Sequence, residues 1–233
     1  MVGRLVRQLL TFPEVAQIIL TLNVPESVTL PDDARVTIIA NAEPKGFGAN
    51  HNAAFGVCAQ TFFCPLNPDI EFDGNPFPVL SAALADDRVA LVAPLVRSPD
   101  GKIEDSMRRF PTPGSLLMKA LGGSDGRYVV GHGQAAFAPE WVAGMFMLFR
   151  SRDFRDLAGF DERFFLYYED VDICARVWQK GMRVLACPQG CVIHDAQRES
   201  RRRLRHFRWH LASMTRFFCK HWGRLPRLPG AQR

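Results

Sequence analysis

The hydrophobic positions along the chain change their spacing several times, and each change marks an element. In "RLVRQLLTF" (4–12) Leu and Val fall at helical steps, and Pro13 closes the helix. "VAQIILTLN" (15–23) is a β-branched run that predicts a strand ending at Asn23, with the turn "VPES" after it. A second short strand, "ARVTIIAN" (34–41), precedes a glycine-containing loop, "EPKGFGANHNAAFGVC", that runs into a helix. "TFFCPLNPDIEF" (61–72) predicts a buried strand broken at Pro68. "PFPVLSAALADD" (76–87) predicts a helix with proline near its start, and "RVALVAPLV" (88–96) a strand.

The pattern dissolves between 97 and 140, where "SPDGKI", "RRFPTPGS" and "GGSDGRY" read as long loops of the kind that bind ligands. It resumes as a strand over 141–154, a loop and helix over 155–181 ending at Gly181, and a closing strand pair over 182–195. Leu204, Phe207, Leu211, Met214, Phe217 and Phe218 then recur at three- and four-residue steps, which predicts an amphipathic helix over 201–222. Alternating strands and helices predict an α/β sandwich around a largely parallel sheet.

Composition adds a core and a charge asymmetry. Of 233 residues, 47% are hydrophobic, enough for a packed α/β domain. Net charge is +5, yet residues 198–233 hold eleven Lys or Arg against Glu199 alone, so the body carries −5. We therefore divide the chain into a domain over 1–197 and a basic helical appendage over 198–233. A basic appendage on an acidic body suits an anionic partner such as a membrane surface. The same helix packed on the domain, its charges solvated, fits the pattern equally. Nucleic acid is the weaker partner, because the acidic body would repel phosphate. Six cysteines without scaffold spacing fit reduced thiols in a cytoplasmic protein. "CPQGCVIH" lacks a fourth ligand for a structural zinc site.

Three stretches carry candidate chemistry. "FFLYYEDVDICARV" (164–177) sets Phe164, Phe165, Tyr167 and Tyr168 ahead of Glu169, Asp170 and Asp172. Apolar walls and neighbouring charges raise a carboxyl pKa, which is how a general base is tuned toward neutral pH. Core packing for the rings and a helix-dipole role for Glu169 are the plainer alternatives. Asp69 in "LNPDIEF" stands at a strand end, suited to a cation beside Asn67, or else to capping a turn. His194, at the end of "VIH", follows the acidic cluster and offers a nitrogen ligand.

Taken in this order, "N-x4-GFGANHN" from Asn41, "LNPDI", "WVAGMFMLFR", "GFDERFFLYYEDVDICARV", "VIH" and "SMTRFFCKH" resemble a family-2 glycosyltransferase of the GT-A fold, in its rhamnosyltransferase-like branch. The resemblance implies an inverting transfer from a dTDP-, UDP- or GDP-linked sugar to a saccharide or lipid-linked acceptor in cell-surface polysaccharide synthesis. It implies Asp170 as catalytic base with Glu169 beside it, and Asp69 and His194 as ligands of Mg²⁺ or Mn²⁺. Donor contacts would come from Asn23, Asn41, Gly46, Asn50, Asn67, Asp69 and Arg109. Acceptor contacts would come from Trp141, Gly144 and Glu169. The family's usual first strand is missing ahead of "GRLVRQLL", so weak donor binding is expected of this chain, with a catalytically silent binding or scaffold subunit as the alternative. The expected location is cytoplasmic, peripheral at the inner face of the cell membrane.

Overall fold

The computed structural model describes residues 1–131, 133–195, 204–226 and 228. The expected domain boundary at 197/198 and the basic residues Arg198, Arg201, Arg202 and Arg203 lie outside the described residues. Helix α1 (Val2–Leu10) leads into β1 (Ile18–Leu22), which pairs in parallel with β2 (Val36–Ala40) as a separate two-stranded sheet. Helix α2 (Phe47–Gly56) follows. The main sheet has five strands, in the order β3 (Phe62–Phe63), β8 (Leu148–Arg150), β5 (Val89–Arg97), β9 (Arg183–His194) and β4 (Ile70–Glu71). Only β5 and β9 are parallel in it; the other three pairings are antiparallel, so the sheet is mixed.

Three segments differ from the sequence reading. The 61–72 stretch does break at Pro68, but its halves join opposite edges of the sheet, β3 at one and β4 at the other. The expected strand over 141–154 is instead β7 (Trp141–Val142), β8 and a short helix α5 (Ser151–Asp156). The expected closing pair over 182–195 is the single long strand β9, whose register against β5 shifts between Pro94 and Leu95. The loop-rich middle also holds β6 (Met107–Arg108), paired with β7, and α4 (Pro113–Ala120). Helix α4 starts in a capping box, with Thr112 accepting from the Ser115 amide and Ser115 Oγ accepting from the Thr112 amide.

The sheet separates two cores. Helix α3 (Phe77–Ala83) and α1 cover one face, packing Leu5, Leu9, Leu80 and Phe146 together. On the other face α2, α6 (Glu169–Gln179) and α7 (Leu204–His221) enclose Phe149, Phe154, Phe160, Ile173 and Phe217. Ser213, Phe217 and His221 form the buried stripe of α7, while Leu204, Phe207 and Leu211 stay 84%, 65% and 46% exposed. The C-terminal half of that helix is thus packed and its N-terminal half presents apolar side chains to solvent. Among the described residues no helix is long and apolar enough to cross a membrane.

Candidate active site

The aromatic row ahead of the acids is divided between two jobs. Phe164 is fully buried in the core. The carbonyl of Phe165 accepts the Phe47 N–H that opens α2, at 3.0 Å, and its ring lies 4.8 Å from Trp209 of α7. Tyr167 packs on His210 and its hydroxyl reaches His206 Nδ1 at 3.2 Å, while Tyr168 packs on Phe217. Three of the four rings therefore dock α7, and the plain packing reading holds for them. To turn the rings this way, Tyr167 and Tyr168 take φ of 70° and 67°, left-handed backbone that bulky residues rarely adopt. Such strain, of order 1–3 kcal/mol per residue, collects at functional sites.

This entry leaves Glu169, Asp170 and Asp172 in the first turn of α6 with three different environments. Asp170 Oδ2 accepts the Gly144 N–H at 3.0 Å and Oδ1 accepts the Val171 N–H at 2.8 Å. Burial nonetheless pushes its carboxyl above the usual aspartate value, against those amide bonds. Glu169 is only 5% exposed, lies beneath Gly48 of α2, and its Oε2 has no hydrogen-bond partner. Burial first, and the neighbouring Asp170 charge second, hold it well above the ordinary glutamate value. Asp172 is buried too, which alone would raise it, but His221, Arg176 and Lys220 bring it below. Its oxygens meet His221 Nε2 at 2.8 Å, Lys220 Nζ at 2.6 Å and Arg176 Nε at 2.8 Å.

Strand pairing assembles the second cluster. Ile70 of β4 stands opposite His194 of β9, which brings Asp69 Oδ2 within 3.2 Å of His194 Nε2. On the far side of the ring, Nδ1 lies 2.9 Å from Glu104 Oε2. Desolvation works against charging His194, but the two carboxylates win and raise its pKa. Asp69 Oδ1 is buried without a hydrogen-bond partner. Among the described residues no three His, Cys, Asp or Glu side chains form a ready-made metal cage. Asp69 and His194 are still a fitting donor pair for a hard divalent cation. Asp69 has a spare buried oxygen, and a carboxylate behind the imidazole is the usual way to orient a ligating histidine.

The two clusters are linked by a short relay. Asp170 holds Gly144; the next residue, Met145, accepts the Asn67 N–H at 3.0 Å; Asp69 follows two residues on. This path of two hydrogen bonds and a few residues keeps the carboxylates of Asp69 and Asp170 within roughly 20 Å of each other, and Asp69 and His194 lie where β9 ends. Ligands of open α/β sheets gather at such ends.

The other expected residues are distributed around this centre. Asn23, Asn41 and Asn50 meet at the ends of β1 and β2, where the Asn41 amide donates to both others at 3.0 and 2.7 Å. Asn23 also clasps the backbone of Lys45 at 2.8 and 3.0 Å. Gly46 makes its close approach to Phe165: a Cβ there would sit 2.5 Å from the Phe165 oxygen. Trp141 Nε1 donates to the Arg109 carbonyl at 2.8 Å, and the Arg109 guanidinium lies over the Tyr128 ring at 5.7 Å. A Cβ on Gly144 would stand 3.5 Å from that of Asp170. Glu104 escaped the sequence reading, and no local signal marks it: it lies in a loop 90 positions from its partner.

The fold is that of GT-A glycosyltransferases. Solved structures similar to it include GalNAc-T7 with UDP, GalNAc and Mn²⁺, at TM-score 0.61, 16% identity and coverage of 79% of this chain and 38% of that one. The mannosyltransferase PcManGT from Pyrobaculum calidifontis, in complex with GDP-Man and Mn²⁺, superposes at TM-score 0.55 with 14% identity, over 92% of this chain and 61% of that one. Residues 82–224 match the family described as glycosyl transferase family group 2, and the chain belongs to that family. Rhamnosyltransferase WbbL of Escherichia coli (strain K12) is 29% identical over 186 residues, 75% of this chain and 70% of its own length. The N-acetylglucosaminyl-diphospho-decaprenol L-rhamnosyltransferase of Mycobacterium tuberculosis (strain CDC 1551 / Oshkosh) is 31% identical over 137 residues. That match spans 55% of this chain and less than half, 45%, of the relative.

Proposed function

We propose that this chain is an inverting glycosyltransferase in which Asp170 takes the proton from an acceptor hydroxyl as it attacks the anomeric carbon of a nucleotide-linked sugar. The observation that carries the reading is the Asp170 carboxylate: fixed by the Gly144 amide, raised by burial, and joined by a short relay to the Asp69–His194 pair. A base needs a fixed position and a pKa moved toward the working pH, and those are the two properties found. Asp69 and His194 would hold Mg²⁺ or Mn²⁺, whose charge stabilises the departing nucleoside diphosphate. Glu104 keeps the His194 ring in place, and Glu169, held well above the ordinary glutamate value by burial and by the Asp170 charge, stands protonated beside the base.

Similarity to two rhamnosyltransferases favours L-rhamnose as the sugar and a lipid-linked saccharide as the acceptor. The exposed Leu204, Phe207 and Leu211 with Arg205 and Arg208 make an apolar row beside positive charge, suited to the surface of a membrane holding such an acceptor. That surface would be the inner face of the cell membrane.

A donor screen tests the reading: release of nucleoside diphosphate from dTDP-, UDP- and GDP-sugars, with Mn²⁺ or Mg²⁺ and with chelator. Release from a dTDP-sugar that requires metal and Asp170 supports it. No turnover of any donor under these conditions refutes it for this chain. One observation favours a second reading, a silent binding subunit: β1 and β2 are not hydrogen-bonded to the main sheet. Donor binding with no transfer would favour that reading.

A further inference from the structure

Two left-handed residues in succession, Tyr167 at φ 70° and Tyr168 at φ 67°, lead straight into α6 and its first-turn acids. A helix start of this kind does not support itself. The residue ahead of a helix is usually extended, and the preferred ones accept a helix amide with their own side chain. Tyr168 does neither: it is left-handed, and its side chain makes no cap hydrogen bond. Backbone held in such a region persists only where its surroundings over-determine it.

Those surroundings come largely from one element. Phe165 is shared, its carbonyl taken by the Phe47 N–H of α2 and its ring by Trp209 of α7. Each of the next three residues is gripped by α7. Ser213, only 3% exposed, donates its hydroxyl to the Leu166 carbonyl at 2.9 Å. That carbonyl sits just ahead of the left-handed pair, outside any helix or strand, and a part-buried acceptor there needs a partner. The His210 ring lies 5.4 Å from the ring of Tyr167 and 5.4 Å from that of Tyr168. Past the acids α7 takes hold again, with His221 and Lys220 on Asp172 at 2.8 and 2.6 Å. Glu169 and Asp170 thus lie between two points of attachment to the same helix.

We propose that α7 positions Asp170, with Ser213 and His210 as the positioning residues that hold the turn from which its carboxylate is aimed. The carboxylate has little else to fix it. Its bond to the Val171 amide travels with α6, so the Gly144 N–H at 3.0 Å is the contact that registers it against the loop between β7 and β8. Were the turn to relax out of the left-handed region, the first turn of α6 would rotate and carry the carboxylate off that amide. A displacement of ~1 Å at a reacting group is enough to cost on the order of 10²-fold in rate.

The composition of α7 supports a role beyond filling the core. The face it turns to residues 165–172 carries His206, His210, Ser213, Phe217 and His221, at steps of four, three, four and four. Leu204, Phe207 and Leu211 are left exposed instead. A helix that served only the core would put those apolar side chains inward and its polar ones outward. Here polar groups with directional contacts face the protein, as positioning requires.

The catalytic meaning of this role rests on the reading of Asp170 as base, but its geometry does not, and the test keeps the two apart. The full chain is compared with Ser213→Ala and His210→Ala, singly and together, and with His210→Phe, which keeps the ring. Alanine suits both helical positions, so the fold should survive. Amide hydrogen exchange at Gly144 reads the bond to Asp170 without catalysis, while the amides of Val92 in β5 and Leu185 in β9 report global stability. In the double variant Gly144 should exchange on the order of tenfold faster, with Val92 and Leu185 unchanged. Turnover should fall by about 10- to 100-fold with donor affinity within about twofold, and His210→Phe should match the parent in every readout. Faster exchange at Gly144 with undiminished turnover would keep the positioning role and remove Asp170 as the base. Unchanged exchange at Gly144 overturns the proposal. So does equal acceleration at Val92 and Leu185, the mark of a contact that only stabilises the fold.

Discussion

The Gly144 amide donates to Oδ2 of Asp170 at 3.0 Å, tying the first turn of α6 to the loop between β7 and β8. The hydrogen bond fixes the carboxylate while burial keeps its proton affinity up. Asp170→Asn keeps the size and loses the proposed base. We expect turnover to fall by about 10²–10⁴-fold with donor affinity within about twofold of the unaltered chain. Steady-state release of nucleoside diphosphate and calorimetric donor titration give the two numbers, and retained turnover removes Asp170 from the mechanism.

Gly46 packs against the backbone of Phe165. Its φ of −68° suits any residue, but an added Cβ would meet the Phe165 backbone oxygen at 2.5 Å. Gly46→Ala should therefore push α2 away from the 165 loop and cost ~2 kcal/mol. For a domain of this size that lowers the melting temperature by roughly 4–8 °C. Scanning calorimetry on the two proteins checks it, and an unchanged melting temperature would mean that the loop yields freely.

Glu169 makes stability depend on pH. Its folded pKa is well above the ordinary 4.5, so the folded chain binds more protons than the unfolded one in between. Stability is greatest below the unfolded value and falls as pH rises toward the folded one. Glu169→Gln abolishes that charging, so the variant should melt higher than the parent at neutral pH and converge with it near pH 4. Melting curves from pH 4 to 8 would expose a parallel shift, the result that contradicts this account.

The Asp172 cluster behaves with the opposite sign. Its folded pKa lies below the usual 3.8, so its contribution is present above that value and lost as pH falls through the folded one. Asp172→Asn removes the carboxylate that His221 and Lys220 share, with Lys220 keeping Asp161 at 2.7 Å, and removing one member of a buried ion pair costs about 3–5 kcal/mol. Because both partners sit on α7, that helix should loosen first. Trypsin should then cut at Arg205, Arg208 or Arg216 faster in the variant than in the parent; equal cleavage rates would show that the aromatic contacts alone hold the helix.

Membrane attachment has its own measurement. Phe207→Ser with Leu211→Ser leaves the buried stripe of Ser213, Phe217 and His221 intact. The unaltered chain should co-sediment with anionic vesicles at low salt, and the double variant should lose most of that binding. Absence of binding by the parent itself would leave α7 as a packed helix with solvated charges.

Much of the candidate site was legible because it is local. The glycine and asparagine run opening α2, the acids opening α6, and Asp69 beside Pro68 all announce themselves within a few residues. The cause of the aromatic row was not legible: three of its rings answer to α7, some 40 residues later in the chain. The 141–154 stretch misled because an apolar run does not reveal where the chain turns. Glu104 was invisible because nothing near it mentions His194.

The sequence by itself determined the helices α1, α2, α3, α6 and α7, where the body and the basic helix differ in charge, and which acids stand together, since these depend on neighbours along the chain. Only the tertiary structure decided that β3 and β4 join opposite edges of one sheet, that Glu104 backs His194, and that Glu169 and Asp172 shift in opposite directions. Those outcomes depend on hydrogen bonds and desolvation between segments far apart in the chain, and no pattern of nearby residues encodes which distant backbone will lie alongside.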